Sequence, residues 1–162
     1  MKKPRIYLDS SIISHLDAPD RLDWQEDTRR FWEGVSAGMY EVFISPVVIA
    51  EIERCREPKR SYLLEQLRLI ECIVLEKTDE IGELAQRYVD ADILKPKSFD
   101  DCQHIAYACV HNCDMILSWN FAHLVNVKTI SRVKGVNALA GYKEMPIYTP
   151  TMLISGGRDD ET

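Results

Sequence analysis

No apolar run in this chain of 162 residues approaches the roughly 18 residues that a membrane-crossing helix needs. There is no excess of positive charge either. Acidic residues number 26 against 20 basic ones, a net charge of −6, which argues against nucleic-acid affinity driven by overall charge. It leaves open a nucleic-acid substrate reached through bound cations, with the acids concentrated where a metal sits. The five cysteines are an odd number and show no C-x-x-C spacing. Cys102, Cys109 and Cys113 fall on one predicted helix with His104 and His111. Cys109 and Cys113 stand at zinc-compatible i, i+4 spacing, but buried thiols in a reducing compartment are the simpler expectation. The basic start Met1-Lys2-Lys3-Pro4 leads only into Ile6–Leu8 before Asp9 interrupts, so no signal peptide is expected. The chain reads as cytoplasmic. It shows no internal repeat, linker or low-complexity stretch, which predicts one domain over 1–150, followed by a tail over 151–162 disordered at its end.

What is present is an alternation of strand-like and helix-like segments. Arg5-Ile6-Tyr7-Leu8 reads as a short strand buried on both faces, running directly into Asp9-Ser10-Ser11. A short helical face follows (Ile12, Ile13, Leu16), then a helix from about Asp20 to Ala37 carrying Trp24, Thr28, Phe31, Trp32 and Val35. Glu41–Ser45 is a second strand, with Ser45 as cap and Pro46 opening a helix that stops at Glu57-Pro58. A helix covers about Lys59 to Leu69, and Ile70–Leu75 is a third strand. Thr78 caps a helix to about Ala91. Ser98 opens another to Asn112, and Asp114–Ser118 is a fourth strand. A short helix is expected near Ala122 to Asn126, and a fifth strand near Ile147-Tyr148. Strands alternating with helices predict an α/β domain with a parallel central sheet of about five strands and helices on both faces.

In a parallel sheet, the ends of strands and the starts of following helices share one edge, where sites form. Asp9 follows the first strand. Glu51 lies in the first turns of the helix after the second, Asp100 and Asp101 open the helix leading to the fourth, and Asn120 follows the fourth. Clustered carboxylates repel one another unless a cation neutralises them, and hard oxygen ligands select Mg²⁺ or Mn²⁺. Such a site can activate water for phosphoryl displacement, with no role expected for cysteine or histidine. Each residue also has a plainer role open to it: Asp9 as a helix cap, Asp101 as the acid of an S-x-x-D capping box from Ser98, Glu51 as a solvated helix residue, Asn120 as a turn residue, Asp114 as the start of a strand.

The segments Tyr7-Leu8-Asp9-Ser10-Ser11-Ile12-Ile13, Ser45-Pro46-Val47-Val48-Ile49-Ala50-Glu51-Ile52, Asp101-Cys102-Gln103-His104-Ile105-Ala106 and Leu117-Ser118-Trp119-Asn120-Phe121 together resemble the PIN domain family, in its order and spacing, to about Pro150. The family comprises metal-dependent ribonucleases on a parallel α/β sheet, and many bacterial single-domain members are VapC-like toxins held inactive by a cognate antitoxin. The resemblance implies an endoribonuclease whose catalytic acids Asp9, Glu51 and Asp101 hold Mg²⁺ or Mn²⁺. Asp9 and Asp101 would ligate directly, and Glu51 would complete the site or orient the attacking water. Asn120 stands where the family often has a fourth acid. It brings an oxygen but no charge, and Asp100 or Asp114 could compensate. Ser11 and Asp114 would support the ligands from outside.

RNA is the implied substrate, with a cognate antitoxin and a homodimer as further partners and no membrane. Lys95, Lys97, Arg132 and Lys134 either contact RNA backbone or are scattered surface bases. Trp24, Phe31, Trp32, Leu63, Leu64 and Leu67 either fill the core or leave a surplus for a partner helix. Two other functions stay open. One is an Asp-based phosphoacceptor or phosphatase, although Ser11 stands where the phosphatase would carry its second Asp. The other is a PIN-fold binding module that is weakly active or inactive.

Overall fold

A computed structural model describes residues 2–159. The chain runs β1 (Arg5–Leu8), α1 (Ser10–Ser14), α2 (Leu22–Ser36), β2 (Glu41–Ile44), α3 (Pro46–Glu53), α4 (Lys59–Arg68), β3 (Cys72–Val74), α5 (Asp79–Asp90), α6 (Phe99–Val110), β4 (Met115–Leu117), α7 (Val127–Ala140), β5 (Ile147–Tyr148) and α8 (Pro150–Asp159). The five strands form one sheet in the order β3-β2-β1-β4-β5, and every pairing is parallel. β1 is the central strand, which explains its unbroken apolar run: Ile6, Tyr7 and Leu8 have no exposed surface. β3 is an edge strand, and its Ile73 and Val74 remain exposed.

The chain moves one way from β1 to β2 and β3, then crosses back to β4 and β5 on the other side. Right-handed connections therefore put α2, α3 and α4 on one face and α5, α6 and α7 on the other. The helices bury the stripes their periodicity predicts. α2 buries Thr28, Phe31, Trp32 and Val35, and α5 buries Ile81, Leu84, Ala85 and Tyr88. α6 is buried on most sides, as suits the helix lying over the middle of the sheet. Its Cys102 and Cys109, together with Cys113, are buried free thiols. Burial pushes the Cys102 and Cys113 thiols up to about 12. The Cys109 sulfur accepts from Tyr88 Oη and Asn137 Nδ2. No helix among the described residues is long and apolar enough to cross a membrane.

Three segments differ from the sequence expectation. Ala122 to Asn126 is not helical; it is a run of turns. The helix in this region is α7, one step later, capped at its start by Asn126 accepting from Thr129 N–H and closed by Gly141 at φ 85°. The segment expected as a tail is helical from Pro150 through Asp159 and packs on α2, while residues 160–162, where the disordered end was expected, lie outside the described residues. Ser98 makes no side-chain cap bond to α6: it closes a short 3-10 turn in which its N–H donates to the Lys95 carbonyl, and its backbone is not in the extended conformation of a cap, while the Asp101 carboxylate, expected on the Ser98 N–H, meets His123 instead.

Candidate active site at the end of the central strand

The sheet order reverses between β1 and β4, so the crevice beyond their C-terminal ends is the topological switch point of the fold. Tyr7 is level with Phe43 on β2 and with Ile116 on β4. Two residues further along each strand, on the same face, come Ser45, Asp9 and Ser118. Asp9 thus sits between two hydroxyl residues. Its Oδ2 accepts from Ser118 Oγ at 2.5 Å, and its Oδ1 accepts from Ser11 Oγ at 2.5 Å and Ser11 N–H at 3.1 Å. The bond from Ser11 N–H is the helix-cap bond, so Asp9 does cap α1. A cap alone is normally solvated, whereas Asp9 is 3% exposed and bound to a residue on another strand. Burial holds its carboxyl above the usual range, against the pull of His104 and of the Ser11 and Ser118 bonds, while the charge of Asp101 raises it further.

Glu51 and Asp101 approach this centre from α3 and α6. Both are partly buried, and each gives one carboxylate oxygen to a histidine. Glu51 Oε1 lies 2.7 Å from His104 Nε2, and Asp101 Oδ2 lies 2.8 Å from His123 Nδ1. The expectation that histidine has no part here is thereby corrected. His104 stands one turn after Asp101 on α6, so both project towards the same edge. Its other nitrogen, Nδ1, is 2.7 Å from Tyr7 Oη, which in turn donates to Ser45 Oγ at 2.8 Å. Tyr7, His104 and Glu51 form one chain of hydrogen bonds from the sheet interior to the edge.

Electrostatics follow from this packing. Burial alone would push the His104 imidazole down, but the Glu51 bond and the charges of Asp9, Glu51 and Asp101 hold it above its ordinary value. Burial raises Glu51, yet the bond and charge of His104, with Ser10 and Arg54, bring it below the usual carboxylate range. Desolvation, reinforced by the Asp9 and Glu51 charges, holds the Tyr7 phenol well above the usual range despite its Ser45 bond. His104 is therefore a buried imidazole whose protonated form is favoured by all three carboxylates.

Ser11 supports Asp9 as expected and also accepts from Trp119 N–H at 2.9 Å. Asn120 works as a turn residue. Its Oδ1 accepts from His123 N–H at 2.9 Å, fixing the turn that delivers His123. Asp100 is exposed, 4.0 Å from Arg54 and outside the buried group. Asp114 does not belong to the site. It precedes β4, at the opposite edge of the sheet, where it accepts from Arg5 N–H at 2.7 Å. It stands four residues before Ser118, about 13 Å away at roughly 3.3 Å per residue. Trp119 is anchored by donation from its indole N–H to Thr28 Oγ1 and by stacking on Trp24, which steadies the segment beyond Ser118.

His104, His123, Ser118, Ser45 and Tyr7 were the participants not recognised from sequence. The signals available were the Asp101–His104 helical spacing and the small hydroxyl residues ending β1's two neighbours. Among the described residues no three Cys, His, Asp or Glu side chains converge as a ready-made metal cluster. The groups at this edge are carboxylates, hydroxyls and two imidazoles, with no thiol among them, and carboxylate oxygens are of the kind that hard divalent cations select. No family model and no curated protein matches the chain.

Proposed function

We propose that this protein is a metal-dependent endoribonuclease of the PIN type, the toxin of a toxin–antitoxin pair. The observation that carries this is the buried Asp9 at the switch point, clamped by Ser11 and Ser118, with Glu51 and Asp101 in electrostatic reach. Keeping a desolvated carboxylate costs stability, and charge repulsion among neighbouring acids adds to that cost. A site for Mg²⁺ or Mn²⁺ accounts for both. Asp9, Glu51 and Asp101 would hold the ion, which when bound supplies Lewis-acid activation of water and shields charge on the scissile phosphate. The chain's own residues do the positioning. Ser11 and Ser118 fix both Asp9 oxygens, His104 keeps Glu51 ionised and oriented, and His123 orients Asp101.

The second reading, a binding module of the same fold, is favoured by one observation: Glu51 and Asp101 are already bonded to histidines and no three-ligand cluster is preformed. As for partners, Phe31, Trp32, Leu63 and Leu67 are core residues, while Trp24 and Leu64 are partly buried. The deciding experiment is calorimetric titration of Mn²⁺ into the wild type, Asp9→Asn and Asp101→Asn, followed by RNA cleavage assays. Binding and cleavage in the wild type, both lost in the two variants, is the expected result. RNA or protein binding without any metal-dependent cleavage would favour the module.

A further inference from the structure

A cavity of about 510 Å³ opens beside the acidic centre, between the segment after α5 and the first turn of α7. Its volume is in the range of small-ligand sites, roughly 300–1,000 Å³, but its lining is unusual for this chain. Lys95, Lys97, Lys128 and Arg132 all face it, with Asp92 as the one acid. None of these four cations lies within salt-bridge distance of a carboxylate among the described residues. A protein with net charge −6 has placed four unneutralised positive charges around one concavity.

Two features make this an organised place. Arg132 Nη1 donates to the Asp92 carbonyl at 2.7 Å, where Asp92 turns the chain at φ 55°. One guanidinium edge is thereby fixed, and the planar fork keeps further donors free. His123 is shared with the acidic centre: its ring lines the cavity while its Nδ1 contacts Asp101. The cavity and the carboxylates are thus one side chain apart.

We propose that this cavity binds a backbone phosphodiester of the RNA strand, next to the phosphate presented to Asp9, Glu51 and Asp101; this rests on the nuclease function proposed above. Three carboxylates repel a polyanion, so a strand lying across them needs cations close by to hold it. Lys95 and Lys97 after α5, and Lys128 and Arg132 on α7, are far apart in sequence yet meet at the place where that requirement arises. Lys134 does not take part: it lies 3.8 Å from Glu144 and is not in the cavity lining.

The test measures binding of a short labelled single-stranded RNA by fluorescence anisotropy, without metal and across a salt series. It compares the wild type, Lys95→Ala, Lys128→Ala, the double variant Lys128→Ala/Arg132→Ala, and Lys134→Ala as control, with thermal melts to confirm folding. Lys95 and Lys128 are exposed and their removal disturbs no described contact. The cavity variants should weaken binding several-fold and lower the slope of log affinity against log salt by about 0.7 to 1, the value for one phosphate contact on a single strand. Lys134→Ala should match the wild type. In Mn²⁺-dependent cleavage the cavity variants should raise KM and keep kcat. Cleavage with unchanged KM and salt slope in every cavity variant overturns the phosphate site and leaves the nuclease standing. Cavity-dependent RNA binding with no cleavage by the wild type supports the phosphate site and sinks the nuclease. No RNA binding, or equal displacement by poly-glutamate of matched charge, overturns the proposal.

Discussion

Asp9 and Asp114 are the same residue type at opposite edges of one sheet, and they live in different physical worlds. Asp9 follows β1, is buried, and receives hydrogen bonds from Ser11 and Ser118. Asp114 precedes β4, is about half exposed, and faces Arg5 N–H and the Lys143 ammonium at 3.7 Å. At the exposed edge, charge is matched by charge in solvent-exposed ion pairs, as it also is between Arg5 and Glu41. At the buried edge, three carboxylates share one buried histidine, and hydroxyl groups do the rest. Burial decides whether an acid is ordinary surface or a candidate for chemistry, because desolvation makes its ionisation state depend on its neighbours.

The most severe way to test this contrast is to neutralise each acid in turn. Asp9→Asn should lower Mn²⁺-dependent RNA cleavage by about 1,000-fold, about 4 kcal/mol of barrier, without lowering stability, since a neutral isostere removes the cost of a desolvated charge. Asp114→Asn should leave cleavage unchanged. Equal effects of the two substitutions in a single-turnover assay would erase the distinction between the edges.

Next in size is His104→Ala. It removes the partner of both Glu51 and Tyr7 in a buried position, and should cost about 2–4 kcal/mol in urea denaturation. His123→Ala should cost under about 1 kcal/mol, because that ring is 42% exposed. A larger loss at His123 than at His104 would contradict the buried-edge account.

A smaller effect should appear in the pH dependence of metal-free unfolding. Glu51 is held below its ordinary value of 4.5, so its contribution is present above pH 4.5 and is lost as pH falls through the folded value. His104 is held above its ordinary 6.5, so its contribution is present below pH 6.5 and is lost as pH rises through the folded value. Asp9, held above its ordinary 3.8, works against Glu51: its penalty grows as pH rises through its folded value. The Glu51–His104 pair is therefore worth most between about pH 4.5 and 6.5, and His104→Asn should flatten the fall in stability above that window. A wild-type curve already flat there would remove the charged His104 from the account.

The smallest effect belongs to the exposed edge. Lys143→Ala should change stability by less than about 1 kcal/mol, and less still at high salt. A salt-resistant loss of several kcal/mol would mean that this edge, too, is held by buried charge.

Much of the fold was legible because its elements are locally consistent. β1 reads as buried on both faces, Pro46 and Thr78 open the helices where expected, and the stripes on α2 and α5 match their period. α7 escaped notice although Asn126 and Gly141 bracket it, because its inward positions include Thr129 and Asn137, which weaken the apolar pattern. The Ala122–Asn126 stretch looked helical because nothing in it breaks a helix, but Asn120 and Asn126 bind its backbone into turns. Ser98-Phe99-Asp100-Asp101 has the spacing of a capping box, yet Asp101 found His123, a partner 22 residues away.

The sequence by itself determined the alternation of strands and helices, and from it a parallel sheet whose C-terminal edge collects Asp9, Glu51 and Asp101. It could do so because hydrophobic periodicity and the chirality of βαβ connections are local rules. Only the tertiary structure decided which polar residues meet: Ser118 on Asp9, His104 between Tyr7 and Glu51, His123 between Asp101 and the cationic cavity, and Asp114 sent to the far edge. Those pairings join residues up to 109 positions apart through strand register and helix rotation. A spacing along the chain carries no record of either.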